Sequence, residues 1–254
     1  MNLNFTKMQG LGNDFILIPM LEKDINLTKN QIQFLCNRRF GIGCDQLLLV
    51  TKTSVGGYQY RIFNTDGSEA EQCGNGVRCV ALYLREQGLW NSESIQLKCL
   101  AGMMDVHFIK DKLFCVSMGV PQSINFIDDV TFVSMGNPHL ISFMPSIKNL
   151  DLETETKKIK EKLKITEGIN ISFVNRISPQ TLEARVFERG AGETLACGSA
   201  ACAIVAAGQA LKLLEKKVEV ILPGGILTIE KKGEALFMTG PAERVFDGNI
   251  IVSF

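Results

Sequence analysis

The feature that most constrains this chain is that it is written twice. Displaced by 124 positions, "RIFNTDGSEAEQCG" from Arg61 lies on "RVFERGAGETLACG" from Arg185, matching Arg61 with Arg185, Phe63 with Phe187, Glu69 with Glu193, Cys73 with Cys197 and Gly74 with Gly198. The same displacement places Gly12-Asn13 on Gly136-Asn137 and Gln46 on Asn170. With one residue of slippage, "IQLKCLAGMMDV" from Ile95 falls on "VEVILPGGILTI" from Val218. An internal repeat sets the architecture before any local propensity does. The aligned positions share apolar alternation and the order of their turns, so two pseudo-symmetric domains are expected.

Each half reads as the same series of elements. In the first, "LNFTKM" and "DFILIP" alternate as strands, Thr28 caps a helix expected to run to about Arg39 and to stop at Gly41, and "DQLLLVT" and "YQYRIFN" are strands. A helix is expected from about Val77 to Gln87, with Val77, Val80, Ala81 and Leu84 on one face, followed by strands at "SIQLKCL", "MMDVHFI" and "KLFCVSM". The second half repeats this with a strand at "HLISF", a helix in "DLETETKKIKEKLK", strands at "ISFVNRI" and "LEARVFE", a helix from Ser199 and three more strands. That last helix is apolar nearly all round, as suits a helix enclosed by a sheet. The expected fold class is α+β: two domains, each a curved, mainly antiparallel, barrel-like sheet around a central helix, with the active site in the cleft between them. The hinge is placed near residues 118 to 127, in "VPQSINFIDD".

Composition narrows the function classes. Lys plus Arg and Asp plus Glu number 27 each, so no net field draws in nucleic acid or an anionic membrane, and neither is expected as a partner. The N-terminus lacks a secretory pattern and no apolar run is long enough for a membrane span, which points to the cytoplasm. Eight cysteines in such a compartment are expected to stay reduced, and Cys99 and Cys115, in strand-like runs, read as packing. The close pairs Cys73/Cys79 and Cys197/Cys202 have spacings that suit structural zinc poorly, so no metal is expected. The tract "KKIKEKLK" reads as the mixed-charge outer face of a helix.

The chemistry concentrates on the duplicated cysteines. Cys73 precedes Gly74-Asn75 and Cys197 precedes Gly198-Ser199, each at the mouth of a helix. Free N–H groups and the positive end of the dipole gather at a helix N-terminus, so the N–H groups of Gly74, Asn75, Gly198 and Ser199 suit an α-carboxylate, and the glycines let backbone approach it. The same setting is expected to lower the thiol pKa toward the operating pH. One thiolate and one thiol on opposite sides of an α-carbon can remove a proton from one face and return another to the opposite face, inverting configuration. The other special residues pair across the repeat: Asn13 with Asn137, Gln46 with Asn170, and Asn64 with Glu188. Asparagines at such places also serve turn chemistry, and the two roles are equally open here. Of two histidines, His107 alternates in a strand and reads as surface, while His139 either tunes a thiol together with Glu188 or is structural.

With these residues in view, the sequence resembles the diaminopimelate epimerases. The blocks "GLGNDF", "GIGCDQ", "NTDGSEAEQCGNGVRC", "MGNPH" and "ERGAGETLACGSAACA" match that family's in order over essentially the whole chain. The resemblance implies a cofactor-free enzyme interconverting LL- and meso-diaminopimelate, a small-molecule substrate, in lysine and peptidoglycan synthesis. It implies Cys73 and Cys197 as the acid/base pair, Gly74, Asn75, Gly198 and Ser199 on the reacting carboxylate, and Asn13, Gln46, Asn64, Asn137, Asn170, Glu188 and Arg189 lining the rest of the site. The fork of Arg189 suits a second, distal carboxylate. Cys44 stands where the family commonly has Ala, and Phe187 where Trp is common. In the family the last strand returns to the first domain, which implies residues 1–118 with 242–254 in one domain and 119–241 in the other. Oligomeric state is left open, a homodimer included. The rival readings are a proline- or hydroxyproline-racemase-like enzyme, which would typically read Cys-Gly-His-Gly where this chain has "CGNG"; a phenazine-biosynthesis-type isomerase, which would share the fold but not need the paired cysteines; and a thiol redox-sensing binding protein.

Overall fold

The computed structural model describes residues 1–22, 26–54 and 56–252. The fold is α+β, and the chain divides into two compact units, residues 1–116 together with the chain from Gly240 onward, and residues 117–239. Each is described on its own.

The first unit opens with β1 (Asn2–Gly10) and β2 (Asn13–Met20), joined by Leu11 and Gly12, both left-handed at φ 56° and 84°. That pair of positive φ values is what a tight hairpin between twisted strands requires. Helix α1 (Lys29–Cys36) follows, then β3 (Gln46–Lys52), β4 (Tyr58–Asn64), the short β5 (Glu69–Ala70), α2 (Gly74–Glu86), β6 (Ser94–Cys99), β7 (Gly102–Lys110) and β8 (Leu113–Gly119). The second unit contains β9 (Ser123–Ile127), β10 (Val130–Ser134), β11 (Pro138–Phe143), α3 (Leu152–Lys162), β12 (Asn170–Ser178), β13 (Thr181–Glu188), β14 (Gly192–Thr194), α4 (Gly198–Ala210), β15 (Lys217–Leu222), β16 (Gly225–Lys232) and β17 (Ala235–Pro241). The last strand, β18 (Glu243–Ile251), pairs antiparallel with β1 in the first unit.

Pairing reproduces the duplication strand for strand. In the first unit β18, β1, β2, β3 and β4 are neighbours in that order, and β6, β7 and β8 continue from β4. In the second, β9 to β13 continue through β15 to β17 in the same way. All of these pairs are antiparallel except two in each unit, β2–β3 and β4–β6 in one, β11–β12 and β13–β15 in the other. Register coincides as well: Phe15 faces Gln46 in the first unit and His139 faces Asn170 in the second. Helix α2 packs against β1, β2, β3, β7 and β18, and α4 against β9, β10, β11, β12 and β16. A helix that touches both ends of a strand order requires the sheet to curve around it, and residues 74–84 of α2 are accordingly all buried. The bidentate pair Arg61–Glu69, with contacts of 2.8 Å and 2.8 Å, recurs as Arg185–Glu193 at 2.7 Å and 2.8 Å.

Several boundaries differ from the sequence-based expectation, each for a local reason. Helix α1 ends at Cys36, short of Arg39, because Asn37 turns out of the helix and its Oδ1 accepts the N–H groups of Arg39 and Phe40, both at 2.9 Å. Gly41 then packs so close that an added Cβ would sit 1.9 Å from the Phe34 carbonyl oxygen. Helix α2 starts at Gly74 and α4 at Gly198, ahead of Val77 and Ser199, since burial of the first turn overrides the poor helix propensity of Gly-Asn-Gly. The stretch read as a hinge holds a strand, β9, zipped to β10 from Ser123↔Ser134 to Ile127↔Val130. Cys99 and Cys115 are buried in β6 and β8, and His107 is exposed on β7.

Candidate active site

In the first unit Cys73 occupies the N-cap of α2 with extended backbone (φ −147°, ψ 113°). Asn13 opens β2, and Gln46 opens β3 opposite Asn64 of β4. These strand ends and the helix mouth put Asn13 beside the thiol: Cys73 Sγ donates to Asn13 Oδ1 at 3.8 Å, and Asn75 Nδ2 donates to the same oxygen at 3.2 Å. The amide of Asn13 donates in turn to Asp45 Oδ2 at 3.0 Å. A separate pair forms between Gln46 and Asn64, with Gln46 Nε2 donating to Asn64 Oδ1 at 3.0 Å and Asn64 Nδ2 to Ser68 Oγ at 3.0 Å. Beneath the first turn lies Arg78, fully buried, donating to the carbonyls of Gly74 at 3.1 Å and Pro241 at 3.0 Å and to Asn75 Oδ1 at 3.0 Å. Gly76 is tightly packed, and an added Cβ would stand 3.2 to 3.4 Å from Leu48, Phe15 and Cys73.

In the second unit Cys197 is the N-cap of α4 (φ −128°, ψ 114°) and is buried. Its Sγ lies 3.5 Å from Ser199 Oγ, which accepts from Asn137 Nδ2 at 3.3 Å. His139 Nε2 contacts Asn137 Oδ1 at 3.0 Å, and His139 Nδ1 is buried with no hydrogen-bond partner. Burial pushes the imidazole pKa down to about 4. The ring is therefore neutral at physiological pH and donates through Nε2–H to the Asn137 carbonyl, which aims the amide at Ser199. Glu188 accepts from Thr194 Oγ1 at 2.5 Å. Asn170 stands apart from the thiol network, accepting the backbone N–H of Arg189 at 2.9 Å, while the exposed Arg189 lays its stem over Gly168, where a Cβ would sit 2.3 Å from Arg189 Cδ.

The thiol electrostatics depart from the expectation drawn from helix position alone. The Cys197 pKa is held well above the ordinary thiol value, first by burial and then by the neighbouring Glu188 charge, with the Ser199 hydroxyl pulling the other way. Desolvation of a thiolate outweighs what a helix N-terminus supplies to it here. Sequence reasoning also missed Asp45 and Arg78. Arg78 carried a signal, a lone cation inside a helical run whose neighbours are all core-forming. Asp45 had none beyond its place next to Gln46, because its role depends on the strand pairing that brings Asn13 alongside. Among the described residues no group of three or more His, Cys, Asp or Glu is arranged to hold a metal ion, and no helix is long and apolar enough to cross a membrane.

The family model for "Diaminopimelate epimerase" matches residues 5–124 and 131–245. A diaminopimelate epimerase from Nitrosospira multiformis is 40% identical over 277 aligned positions that span 100% of both chains. Another from Teredinibacter turnerae is 39% identical, covering 98% of this chain and 99% of its own. Among solved structures, a phenazine biosynthesis protein of the PhzF family from Bacillus anthracis superposes with a TM-score of 0.73 at 17% identity, over 99% of this chain and 100% of that one. A hydroxyproline epimerase from Agrobacterium vitis superposes with a TM-score of 0.72 at 11% identity, over 98% and 92%. The two structures share the fold, and the sequence matches, which run nearly end to end through both cysteine blocks, decide the family: the chain belongs to the diaminopimelate epimerases.

Proposed function

We propose that the protein interconverts LL- and meso-diaminopimelate by exchanging the proton on one α-carbon between two thiols, Cys73 and Cys197, in the cytoplasmic synthesis of lysine and peptidoglycan precursor. The thiolate of one cysteine takes the α-proton, so the C–H bond breaks, an S–H bond forms and the electron pair passes toward the α-carboxylate. The thiol of the other returns its own proton to the opposite face, and the cysteines end with their protonation states exchanged. N–H groups of Gly74, Asn75, Gly198 and Ser199 hold the reacting carboxylate and stabilise its gathering charge. The fork of Arg189 takes the distal carboxylate, and Asn13, Gln46, Asn64, Asn137, Asn170 and Glu188 complete recognition.

The observation that carries this reading is the equivalence of Cys73 and Cys197 as N-caps of repeat-related helices in a chain of this family. The test is incubation of the reduced protein with LL-diaminopimelate in D2O. Conversion to the meso form with deuterium at the α-carbon is the expected result, and L-proline and trans-4-hydroxy-L-proline are expected to exchange nothing. Exchange on a proline substrate, or ligand binding confined to the oxidised protein, would sink the assignment.

A further inference from the structure

The first unit carries a hydrogen-bond chain whose direction is set at both ends. A guanidinium only donates and an ionised carboxylate only accepts. Because Arg78 donates to Asn75 Oδ1 at 3.0 Å, the Asn75 amide nitrogen must face the other way, and it donates to Asn13 Oδ1 at 3.2 Å. Because Asp45 Oδ2 sits 3.0 Å from the far end of Asn13, the nitrogen of that amide must point to the carboxylate. Turning either amide over would set donor against donor at Arg78 or acceptor against acceptor at Asp45. The group left facing Cys73 Sγ, at 3.8 Å, is therefore a carbonyl oxygen.

Asp45 is itself pinned. Its Oδ1 accepts from Arg38 at 2.8 Å, its Oδ2 accepts the N–H of Asp14 at 3.1 Å, and its own N–H donates to Asp14 Oδ1 at 3.0 Å. Asp14 is clamped by Arg38, at 2.6 Å and 3.0 Å, and by Lys7 at 2.6 Å. Lys7 also donates to the Gly43 carbonyl, so the loop that presents Asp45 is tied to β1. This ionic frame reaches the thiol through Asn13.

We propose that Asp45 is a positioning residue for Cys73, holding the Asn13 amide so that its carbonyl, and not its N–H, meets the sulfur. The inference rests on the reading of Cys73 as a proton-transfer group and specifies how that group is oriented. A carbonyl facing the sulfur accepts from the thiol and favours the protonated form, whereas an Asn13 amide freed from Asp45 is held by the Asn75 N–H alone, a single neutral bond that an ionised sulfur competes with for the amide N–H. Tyr60 and Cys79 also feel the charge on this thiol, and Arg78 lies beside Cys79.

The test follows Cys73 alkylation by iodoacetamide against pH, mapped to its peptide, in the full chain. It needs no substrate, so its outcome is separable from that of the diaminopimelate assay. Asp45→Ala is expected to move the Cys73 titration midpoint to acid by about one pH unit, a shift typical of gaining a hydrogen bond to the charged form. Asp45→Ser, too short to reach Asn13, is expected to do the same, while Asp45→Asn, which keeps an acceptor there, stays near the parent. In an Asn13→Ala background Asp45→Ala adds nothing. An equal shift in Asp45→Asn would mean that the carboxylate acts by its charge alone. That result, an unmoved midpoint in the Ala and Ser variants, or a shift that survives removal of Asn13 overturns the proposal.

Discussion

The surroundings of Cys73 and Cys197 share a frame and differ in what tunes it. Both thiols cap a helix of identical length, an asparagine lies within one contact of each, Asn13 against Cys73 directly and Asn137 against Cys197 through Ser199, and in both units the parallel pair beside the helix has the same register. Beyond that frame the equivalents part: Phe15 against His139, Asn75 against Ser199, Arg78 against Cys202 and Asp45 against Ile169. The Cys73 network is anchored between a buried cation and a carboxylate, while the Cys197 network ends on a neutral, buried imidazole and lies beside Glu188. The backbone geometry of the repeat has persisted where a strand pair or helix start depends on it, and side chains one contact further out have been free to diverge. A reaction that asks its two bases to play opposite parts in each direction gives such divergence a use.

The largest effect expected is one that treats both units alike. Cys73→Ala and Cys197→Ala should each cost about 10³-fold or more in epimerisation, because proton transfer by a positioned group contributes on that scale. Cys99→Ala, which removes a buried packing thiol in β6, should leave turnover largely in place. Turnover in D2O measures all three, and an active Cys197→Ala protein would break the two-thiol scheme.

Next in size is a change that should act on one unit only. His139 protonates at about 4 in the folded protein, against about 6.5 in an unfolded chain, so between those values the unfolded state binds a proton that the folded state refuses. Stability is complete above the upper value and falls as the pH drops through the window, by about 3 kcal/mol at the lower end. Asp14, held near 2 by Arg38 and Lys7 against its burial, titrates below that range. His139→Phe copies the residue found at the equivalent place in the first unit and should flatten urea-unfolding stability between pH 6.5 and 4. A slope as steep as the parent's would locate the acid sensitivity elsewhere.

Much of this comparison was legible in the sequence. The displacement that aligns Arg61, Glu69 and Cys73 with Arg185, Glu193 and Cys197 holds in the structure as duplicated ion pairs and N-caps. Strand alternation and the buried face of α2 were equally plain. What could not be read is whatever depends on pairing partners far along the chain. Strand β9 hides in "SINFI" because most of it is exposed and it follows a Pro-Gln turn, and only its ladder with β10 makes it a strand. The polarity of the Asn13 amide depends on Asp45, 32 residues away, and the raised pKa of Cys197 on how deeply the fold encloses it. Local rules capture where a thiol sits on its helix, and burial decides its proton affinity.

A smaller effect is expected at the edge of the second unit. Gly168 lies under the stem of Arg189, and a methyl group there would stand 2.3 Å from Cδ and 2.5 Å from Cγ. Gly168→Ala should therefore swing the guanidinium aside without unfolding the strand it adjoins. On the proposed reading this raises KM for diaminopimelate by about tenfold at nearly constant kcat, as loss of ground-state binding does. A fall in kcat with KM unchanged would remove Arg189 from substrate binding and leave the two units more alike in their roles.

The smallest expected change separates the two influences on Cys197. Ser199 stabilises the thiolate and Glu188 opposes it. Ser199→Ala removes a donor from the sulfur, so the alkylation midpoint of Cys197 should move to alkaline by less than about one pH unit, the scale of one hydrogen bond to a charged group. Glu188→Gln removes a like charge and should move it to acid. Neither change should disturb Cys73, whose partner asparagine answers to Asp45. If Ser199→Ala moves the Cys197 midpoint to acid instead, the hydroxyl is accepting from the thiol, and the hydrogen-bond direction in the second unit matches that of the first, with Asn137 and His139 arranged around a protonated sulfur.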